Sequence, residues 1–389
     1  MRVYVGVCGI GFGHISRVLE IARKLKKKGC KIFFSTYLDG VDLLKSEEFR
    51  FTVSPPFWYW VWPDGTVDPW RTLKWLSGKL LLNFLSQLKF EVKKIIEFKP
   101  DIIFSDSRLS TVFAGKLLGL KVVTMLNQFN LILPGLIHYR FLPLLGKTFS
   151  SLVGFAWSLS DKIIIPDLPP PYTISAFNLN FPEHLKSKVE YVGPILPVKP
   201  ENLPSSDKLK NMFNFDVKKP LIYATVSGPR WEKIWLSKKL VKIFLDFPEK
   251  YQVIVSLGLK NLRHPELDAY SDGRIRVYGW IKERFKVLKA CDLIVCRAGH
   301  TTILQALSYG KPMILLPAPE QSEQIYNAKM ALKLGIAKIL DQKLLSRENL
   351  LSAVDEVIMD DGYLRRVKKL MYFASKFNAV EKITDIIMG

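Results

Sequence analysis

Residues Cys291–Ala328, CDLIVCRAGHTTILQALSYGKPMILLPAPEQSEQIYNA, decide the fold. The apolar run Leu293–Cys296 is short enough for a buried strand, and a segment with helical periodicity follows from Thr301. Gly310–Pro312 ends that helix, and Met313–Leu316 is predicted to be the next strand. The stretch is therefore a βαβ unit of a parallel sheet.

The turn between this strand and helix carries groups that suit an anion. It contains Arg297, Gly299 and His300, followed by the hydroxyls of Thr301 and Thr302 at a helix N-terminus. Backbone N–H groups and the positive end of the helix dipole favour phosphate there. An ordinary βα turn, in which Thr301 only caps the helix, explains the turn taken alone equally well.

The loop after the second strand favours the anion site. Within Pro317–Gln324 it offers the carboxylate of Glu323 and the amide of Gln324, which suit sugar hydroxyls. Loops at the carboxyl ends of parallel strands open into one crevice. A phosphate-binding turn beside a hydroxyl-binding loop is what a nucleotide sugar needs.

The pattern resembles the donor-binding half of GT-B glycosyltransferases. The match runs from Val277 to Ala337, with a second patch at Gly9–Arg17. Its residues are Trp280, Arg297-Ala298-Gly299, Thr301-Thr302, Gly310-Lys311-Pro312, Glu323-Gln324 and Asn327-Ala328. The most similar family is glycosyltransferase family 28, which includes the bacterial GlcNAc transferase of the lipid-linked peptidoglycan precursor; UDP-glycosyltransferases share much of the pattern. The resemblance implies two Rossmann-like α/β domains facing each other across a cleft, and a UDP-sugar donor without metal or other cofactor.

The resemblance implies a donor site in the C-terminal half. Trp280 would cover the base, the backbone of Ile281 would bind the edge of the base, and Arg297 would bind the diphosphate. Gln305 stands where the family usually has a glutamate that holds the ribose, so the nucleotide stays open, with UDP favoured. The predicted donor-binding residues are Ser227, Gly228, Arg230, Trp280, Ile281, Arg297, Gly299, His300, Thr301, Thr302, Gln305, Glu323 and Gln324.

A glycine-rich turn follows the first predicted strand, Arg2–Cys8. Gly11 and Gly13 let its backbone turn tightly and approach a ligand closely. No acidic residue ends the second predicted strand, Ile32–Thr36, where a nicotinamide dinucleotide site needs one. By the GT-B resemblance His14 is instead the candidate base that deprotonates the acceptor hydroxyl. Alternatively, His14 caps its helix or contacts phosphate.

Two further strand ends carry polar groups. Asp106 ends a predicted strand at the same sheet edge as His14, where its carboxylate would orient the imidazole, as in UDP-glycosyltransferases. The alternative is that Asp106 caps the following helix. Asn127 and Gln128, after the predicted strand Lys121–Thr124, are expected to contact acceptor or donor sugar.

Proline density marks Gly193–Ser206 as a linker. We therefore expect an acceptor-binding domain over residues 1–197 and a nucleotide-sugar domain over residues 198–370. Residues 371–389 are predicted to form a helix that packs back on the first domain.

The formal charge of +21 is spread over both halves and comes without a nucleic-acid recognition motif. It favours an anionic membrane surface or anionic substrates over nucleic acid. Three segments predict either a membrane-facing surface or buried core: Phe57–Trp62, Trp70–Phe98 and Leu131–Gly146. No signal peptide, transmembrane run or metal-type cysteine spacing is evident, so a cytoplasmic protein at the inner face of the membrane is expected.

The predicted activity is hexosyl transfer with inversion from a UDP-sugar to a hydroxyl acceptor, which is expected to be lipid-linked. No Asp-x-Asp lies near the predicted site, so no metal is expected. Two alternatives remain open. One is a UDP-sugar 2-epimerase of the same fold, and the other is a non-catalytic module that binds a nucleotide sugar or a lipid.

Overall fold

The computed structural model describes residues 1–56, 62, 66, 69–129, 153–228, 230–259 and 273–389; residues 69–81 and 230–231 are described by their backbone alone. The chain divides into two compact units. The first holds most of the chain up to Ile195 together with Phe377–Gly389, and the second holds Leu196–Lys376. The predicted domain boundary after residue 197 lies close to this division, whereas residues 371–376 belong to the second unit.

Both units are built on a parallel sheet. Among the described residues the first sheet has the strand order β3-β2-β1-β4-β5-β6-β7 and the second the order β10-β9-β8-β11-β12-β13. The strands are β1 Arg2–Val7, β2 Lys31–Thr36, β3 Arg50–Val53, β4 Ile102–Asp106, β5 Lys121–Met125, β6 Lys162–Ile165, β7 Val189–Tyr191, β8 Leu221–Thr225, β9 Gln252–Ser256, β10 Ile275–Tyr278, β11 Leu293–Cys296, β12 Met313–Leu315 and β13 Ala337–Ile339.

Helices cover the sheets, so the central strands are buried on both faces and consist largely of Val, Ile and Phe. The helices are α1 Phe12–Lys27, α2 Asp39–Leu44, α3 Pro69–Phe98, α4 Leu109–Leu117, α5 Ser206–Met212, α6 Arg230–Leu245, α7 Arg284–Ala290, α8 His300–Ser308, α9 Ser322–Lys333, α10 Arg347–Met359, α11 Asp361–Ala374 and α12 Ala379–Met388. Short 3-10 turns occur at Ala176–Asn178, Glu183–Lys188, Pro200–Asn202 and Gln342–Leu344.

The last helix of the chain belongs to the first unit. Its buried residues Ile383 and Ile387 join the core formed by β1 and α1, and each such side chain contributes roughly 1.5–3 kcal/mol through burial. An ion pair between Lys28 and Glu381, 3.0 Å apart, lies at the rim of this contact. The chain end therefore covers one face of the first sheet.

The second core follows the same plan. Val253 and Val295 from the strands pack with Leu240 of α6 and with Leu350 and Val354 of α10. All five side chains are at least 99% buried. A dry, close-packed core of this kind holds the strand ends, and hence the loops that follow them, in fixed positions.

The strand order reverses once in each sheet, between β1 and β4 in the first and between β8 and β11 in the second. At such a switch point neighbouring helices lie on opposite faces, which leaves a crevice at the carboxyl ends of the strands. The two turns singled out in the sequence, after β1 and after β11, both lie at a switch point.

Only part of the three segments predicted to face a membrane or to be buried core lies among the described residues. Residues 57–61 and 131–146 lie outside the described part of the chain, while Trp62 is exposed. The segment Trp70–Phe98 lies in one continuous helix, α3. In the described residues, no helix combines the length and the apolar character needed to cross a membrane. The four cysteines are free thiols, of which Cys30, Cys291 and Cys296 are buried.

Candidate functional site

His14 and Asp106 meet at the switch point of the first unit. Pairing of Val7 with Asp106 brings the end of β4 beside the end of β1, and α1 carries His14 over that edge. Nδ1 of His14 lies 2.9 Å from Oδ1 of Asp106. Asp106 is fully buried, whereas 22% of the His14 side chain is exposed. The pair therefore joins a buried carboxylate to a group that solvent can reach.

Arg17, a residue that the sequence analysis passed over, completes this cluster. Its Nε donates to Oδ2 of Asp106 at 2.7 Å and its Nη2 donates to Oδ1 at 2.5 Å. The same Nη2 lies 3.1 Å from Nδ1 of His14 and 3.4 Å from Oδ1 of Asn127. Arg17 is 4% exposed, so the contact is a buried bidentate ion pair.

The charges of this cluster fix the tautomer of the imidazole. Burial alone would raise the pKa of Asp106, but the charge of Arg17 and the contacts with Arg17 and His14 outweigh burial and hold that pKa well below its usual range. An ionised carboxylate only accepts hydrogen bonds, so the 2.9 Å contact is a hydrogen bond in the tautomer that carries the proton on Nδ1 of His14. The lone pair of the neutral ring then lies on Nε2.

The glycine turn before α1 has two conformational requirements. A side chain at Gly9 would collide with the backbone of Tyr37, whose carbonyl oxygen lies 1.8 Å from the position of its Cβ. Gly11 has a φ of 69°, which glycine adopts without strain. The N–H of Gly11 donates to Oδ2 of Asp39 at 2.8 Å. A carboxylate of the chain itself therefore occupies one donor of this turn.

The remaining residues predicted for the first unit lie around the same edge. Asn127 and Gln128 follow β5; Asn127 is buried and Gln128 is half-buried. The carbonyl of Gly13 accepts a hydrogen bond from the Ser16 hydroxyl at 3.1 Å. The structure thus brings Asn127 into contact with the histidine cluster through Arg17.

In the second unit, hydroxyl groups flank the turn before α8. The position of a Cβ on Gly299 lies 3.6 Å from Oγ of Ser227 and 3.9 Å from Oγ1 of Thr302. Gly299 begins α8 without a side-chain cap, and Thr301 and Thr302 are half-buried. Two hydroxyls beside the N-terminus of a nine-residue helix form a suitable cradle for an anion.

The structure corrects the prediction that Arg297 contacts the diphosphate. Arg297 is completely buried; its Nη2 lies 2.7 Å from Oε1 of Glu232, and its Nη1 donates to the carbonyl of Leu316 at 2.9 Å. Glu232 in turn lies against Gly228, where a Cβ would lie 2.6 Å from Oε2. Arg297 thus ties the ends of β11 and β12 to α6, and Glu232 is a second residue that the sequence analysis missed.

Side-chain amides brace the loop after β12. Oε1 of Gln324 accepts from the backbone N–H of Ala318 at 3.0 Å. Nδ2 of Asn327 donates to the carbonyl of Ala298 at 3.2 Å, which joins this loop to the turn before α8. Glu323 is half-buried beside them. Gln324 is 7% exposed, so it holds the shape of the loop more than it presents an amide to a ligand.

The other predicted donor residues differ in accessibility. His300 and Gln305 are each 3% exposed, so neither side chain is presented at the strand ends. Trp280 and Ile281, which follow β10, are half-buried. The side chain of Arg230 lies outside the described part of the structure.

Comparison with known proteins agrees with this arrangement. Residues 234–383 match the family model described as the glycosyltransferase family 28 C-terminal domain. An uncharacterized glycosyltransferase of Methanosarcina acetivorans is 27% identical over 400 residues, which cover 100% of this chain and 98% of the relative.

Two further likenesses extend over nearly the whole chain. The UDP-N-acetylglucosamine--N-acetylmuramyl-(pentapeptide) pyrophosphoryl-undecaprenol N-acetylglucosamine transferase of Alkaliphilus oremlandii is 25% identical, with 95% of this chain and 93% of the relative covered. The structure of the spinosyn rhamnosyltransferase SpnG in complex with thymidine diphosphate has a TM-score of 0.69 at 14% identity, with 100% of both chains covered.

Two α/β units with parallel sheets, together with these likenesses, define a glycosyltransferase of the GT-B fold. Within that class, residues 234–383 match the C-terminal domain of glycosyltransferase family 28, and a lipid-intermediate GlcNAc transferase is similar over nearly the whole chain. The predicted family and fold class are confirmed.

Proposed function

We propose that this chain moves a sugar from a UDP-sugar to a hydroxyl group of a lipid-linked acceptor. The transfer is a single displacement that inverts the anomeric carbon and needs no metal ion. The observation that carries the proposal is the hydrogen bond from Nδ1 of His14 to Oδ1 of Asp106, because it directs the lone pair of Nε2 away from the carboxylate.

The chemistry assigned to His14 is proton removal. As the acceptor oxygen attacks the anomeric carbon, its O–H bond breaks and the proton passes to Nε2. The bond from the anomeric carbon to the diphosphate breaks at the same time, and its electron pair leaves with the diphosphate. Asp106 holds the ring in place and stabilises the imidazolium that forms. Such a base contributes roughly 10²–10⁴-fold to the rate.

The leaving diphosphate is assigned to the turn before α8. The backbone N–H groups of its first turn and the hydroxyls of Ser227 and Thr302 would donate to the phosphate oxygens. Fixed donors that meet developing negative charge do the work that a bound cation does in other transferases. On this basis the reaction needs no metal ion.

The order of the strands fits the order of groups in a UDP-sugar. Trp280 follows β10, which lies three strands from β11 in the order β10-β9-β8-β11. At a strand spacing of about 4.8 Å this is about 14 Å, a length suited to a nucleoside and diphosphate. Glu323 follows β12, on the other side of β11. The base is therefore assigned to Trp280 and the sugar to Glu323.

The choice of UDP and of a lipid-linked acceptor draws on a relative. The A. oremlandii enzyme is named for UDP-N-acetylglucosamine as donor and for an acceptor on pyrophosphoryl-undecaprenol. SpnG was crystallised with thymidine diphosphate, which shares the diphosphate and differs in its nucleoside. Both names contain a pyrimidine nucleoside diphosphate.

One exposed face of α3 supports an acceptor presented at a membrane. Leu82, Leu85 and Ile96 are 64%, 47% and 55% exposed, and the exposed lysines Lys89 and Lys93 lie between them. Spacings of three and four residues place all five on one side of the helix. Apolar side chains interleaved with lysines are typical of interfacial helices. We therefore propose peripheral binding at the inner face of the cytoplasmic membrane.

The transfer is tested by following release of UDP from UDP-N-acetylglucosamine, with an undecaprenyl-pyrophosphate-linked saccharide in detergent micelles as acceptor. His14→Gln should lower turnover by roughly 10²–10⁴-fold, with affinity for UDP in calorimetry unchanged and with no effect of EDTA on the wild-type enzyme. His184→Gln, which changes an exposed histidine of the same unit, is the matched control.

Each of the other outcomes indicates a different activity of the protein or a different role for His14. Epimerised UDP-sugar formed without acceptor indicates the 2-epimerase, and UDP-sugar binding without any turnover indicates a binding module. Loss of UDP affinity in step with turnover in His14→Gln makes His14 a phosphate ligand. Loss of activity with EDTA indicates a metal ion.

Membrane binding is tested separately with liposomes that contain anionic phospholipid. Binding should be strong in low salt and weaken as salt rises, because each basic residue near the surface adds about 1 kcal/mol and salt screens it. Leu82→Ser with Leu85→Ser should reduce binding without loss of stability, whereas Leu332→Ser, an exposed leucine of the second unit, should not. Equal binding by all variants assigns the acceptor to another surface.

A further inference from the structure

Arg17 takes no part in the reaction as proposed, yet it makes the shortest contacts of the histidine cluster. Both of its contacts with Asp106 are 2.7 Å or shorter. It is buried, and its Nη2 lies 3.1 Å from the ring nitrogen that faces the carboxylate. A buried arginine in that position affects both the geometry and the charge of any base on His14.

We propose that Arg17 is a positioning residue for His14. It holds the Asp106 carboxylate in the orientation in which Oδ1 accepts the Nδ1 proton, and it offsets the carboxylate charge beside the ring. The inference rests on the proposed role of His14 as base, and it adds the residue that orients this base.

The contact with both oxygens of Asp106 requires the two adjacent N–H donors of an arginine side chain. Nε binds one carboxylate oxygen and Nη2 binds the other, which fixes the rotation of the Asp106 side chain about its last bond. A lysine at this position is a single point charge and leaves that rotation free. Because Oδ1 is the oxygen that faces Nδ1 of His14, the rotation of Asp106 decides whether the hydrogen bond that fixes the tautomer forms.

The charge argument concerns the protonated ring. An ionised carboxylate alone beside an imidazole favours the imidazolium, and a protonated ring cannot accept the acceptor proton. The guanidinium of Arg17 counters that effect, since it carries a positive charge at almost the same distance from the ring as Asp106. Arg17 and Asp106 together are close to neutral.

Other titratable and charged groups lie around the turn before α1 and around Asp106, and they are Cys8, Tyr37, Asp39 and Arg108. Burial raises the pKa of Cys8 and of Tyr37, so both are neutral at the pH of the cell. Asp39 binds the N–H of Gly11. Arg108 pairs with Glu91 at 2.6 Å. The charged groups that lie closest to Nδ1 of His14 are therefore Asp106, at 2.9 Å, and Arg17, at 3.1 Å.

The experiment observes the ring directly, by NMR of the whole chain with ¹⁵N-labelled histidine. The sequence contains five histidines, and the signals of His14 are assigned by their absence in His14→Gln. The wild-type ring should be protonated on Nδ1 when neutral. In Arg17→Met the ring should titrate at a higher pH than in the wild type, because the neighbouring cation is lost, and its neutral form should be a mixture of tautomers.

Two further variants separate charge from geometry. Arg17→Lys keeps the cation, so the titration should stay near that of the wild type while the tautomers mix. Arg23→Met removes another arginine of α1, one whose side chain is 42% exposed and pairs with Glu20 and Glu47; neither the titration nor the tautomer of His14 should change.

In the assay of sugar transfer, Arg17→Met should lower kcat by about 10–100-fold with the KM for donor unchanged, and the acid limb of its pH profile should move to higher pH. An unchanged titration and tautomer in Arg17→Met overturns the proposal, as does an unchanged tautomer in Arg17→Lys if Arg17→Met does not fold. The NMR result does not depend on sugar transfer, so a failure of the proposed function is recognised separately.

Discussion

Each unit buries an arginine–carboxylate pair where its two central strands end, but the partners are exchanged between helix and strand. In the first unit the arginine is Arg17 of α1, and the carboxylate is Asp106 at the end of β4. In the second unit the carboxylate is Glu232 of α6, and the arginine is Arg297, directly after β11. All four residues are 4% exposed or less.

The exchange changes what each pair can influence. Asp106 contacts His14, whose ring is partly exposed, so the pair in the first unit acts on a group that a substrate can touch. Arg297 forms an ion pair with Glu232 and donates to the carbonyl of Leu316, and both partners lie inside the second unit. A charged residue after a central strand is therefore a site residue only where an accessible group contacts it.

Replacement of the arginine should give the largest difference in stability between the two pairs. Arg297→Met is expected to lower the free energy of unfolding by about 3–5 kcal/mol, because it leaves Glu232 as a buried charge without its cation. Arg17→Met should cost less, since His14 stays beside Asp106 and can take up a proton. Equilibrium urea unfolding measures both losses, and hydrogen exchange assigns each to a unit.

A double variant provides the control for this comparison. Glu232→Leu combined with Arg297→Met removes both charges and should recover most of the lost stability. Lys286→Met breaks an exposed pair with Glu283 and should change stability by less than about 1 kcal/mol. Equal losses for Arg17→Met and Arg297→Met would contradict the special position of the first pair.

A fall in pH should reduce the stability that the Arg17–Asp106 pair contributes. The pKa of Asp106 is held below its usual range, because Arg17 and His14 outweigh the effect of burial. A carboxyl with a lowered pKa contributes stability that is present above its unfolded pKa of about 3.9. This stability is lost as the pH falls through the folded pKa. The stability gap between wild type and Asp106→Asn should therefore be largest at neutral pH and shrink below about pH 4.

The gap is measured by urea unfolding at a series of pH values. Asp42→Asn is the control, because it changes a carboxylate that is 65% exposed and 3.8 Å from its lysine partner. Its effect on stability should stay small at every pH. A gap for Asp106→Asn that widens in acid would mean that the carboxyl is protonated in the folded protein.

The sequence predicted the elements that bury long apolar runs. Both strands at the first switch point and β11 at the second were predicted, because runs such as Leu293–Cys296 have lengths typical of strands and are bounded by turn residues. Two short edge strands, β3 and β13, were missed. Each includes a charged residue, Arg50 in β3 and Lys338 in β13, so neither forms the unbroken apolar run by which the similarly short β11 is recognised.

The sequence predicted where the site residues lie in the sheet more reliably than it predicted the contacts between their side chains. His14 and Asp106 were placed on one sheet edge from their strand ends, whereas Arg17 and Glu232 lie within helices and carry no motif. The i, i+3 spacing of His14 and Arg17 was a usable signal, because it places both on one helix face. The burial of Arg297 had no such signal, since its partner comes from the helix after another strand.

The two glycine turns provide a second contrast between the units. The N–H of Gly11 in the first unit binds the carboxylate of Asp39, so the chain supplies its own anion there. In the second unit the turn at Gly299 is flanked by the hydroxyls of Ser227 and Thr302. Since a carboxylate repels phosphate and hydroxyls bind it, we expect the diphosphate at the second turn.

The smallest predicted effect tests this contrast. Ser227→Ala and Thr302→Val should each weaken UDP binding by about 0.5–1.5 kcal/mol, the usual contribution of one hydrogen bond, which is about 2–10-fold in Kd. Isothermal titration calorimetry at fixed salt measures the change. Ser16→Ala removes a hydroxyl from the equivalent first turn of α1 and should leave the Kd unchanged. Weaker binding in Ser16→Ala, with no change in the other two variants, would place the diphosphate in the first unit.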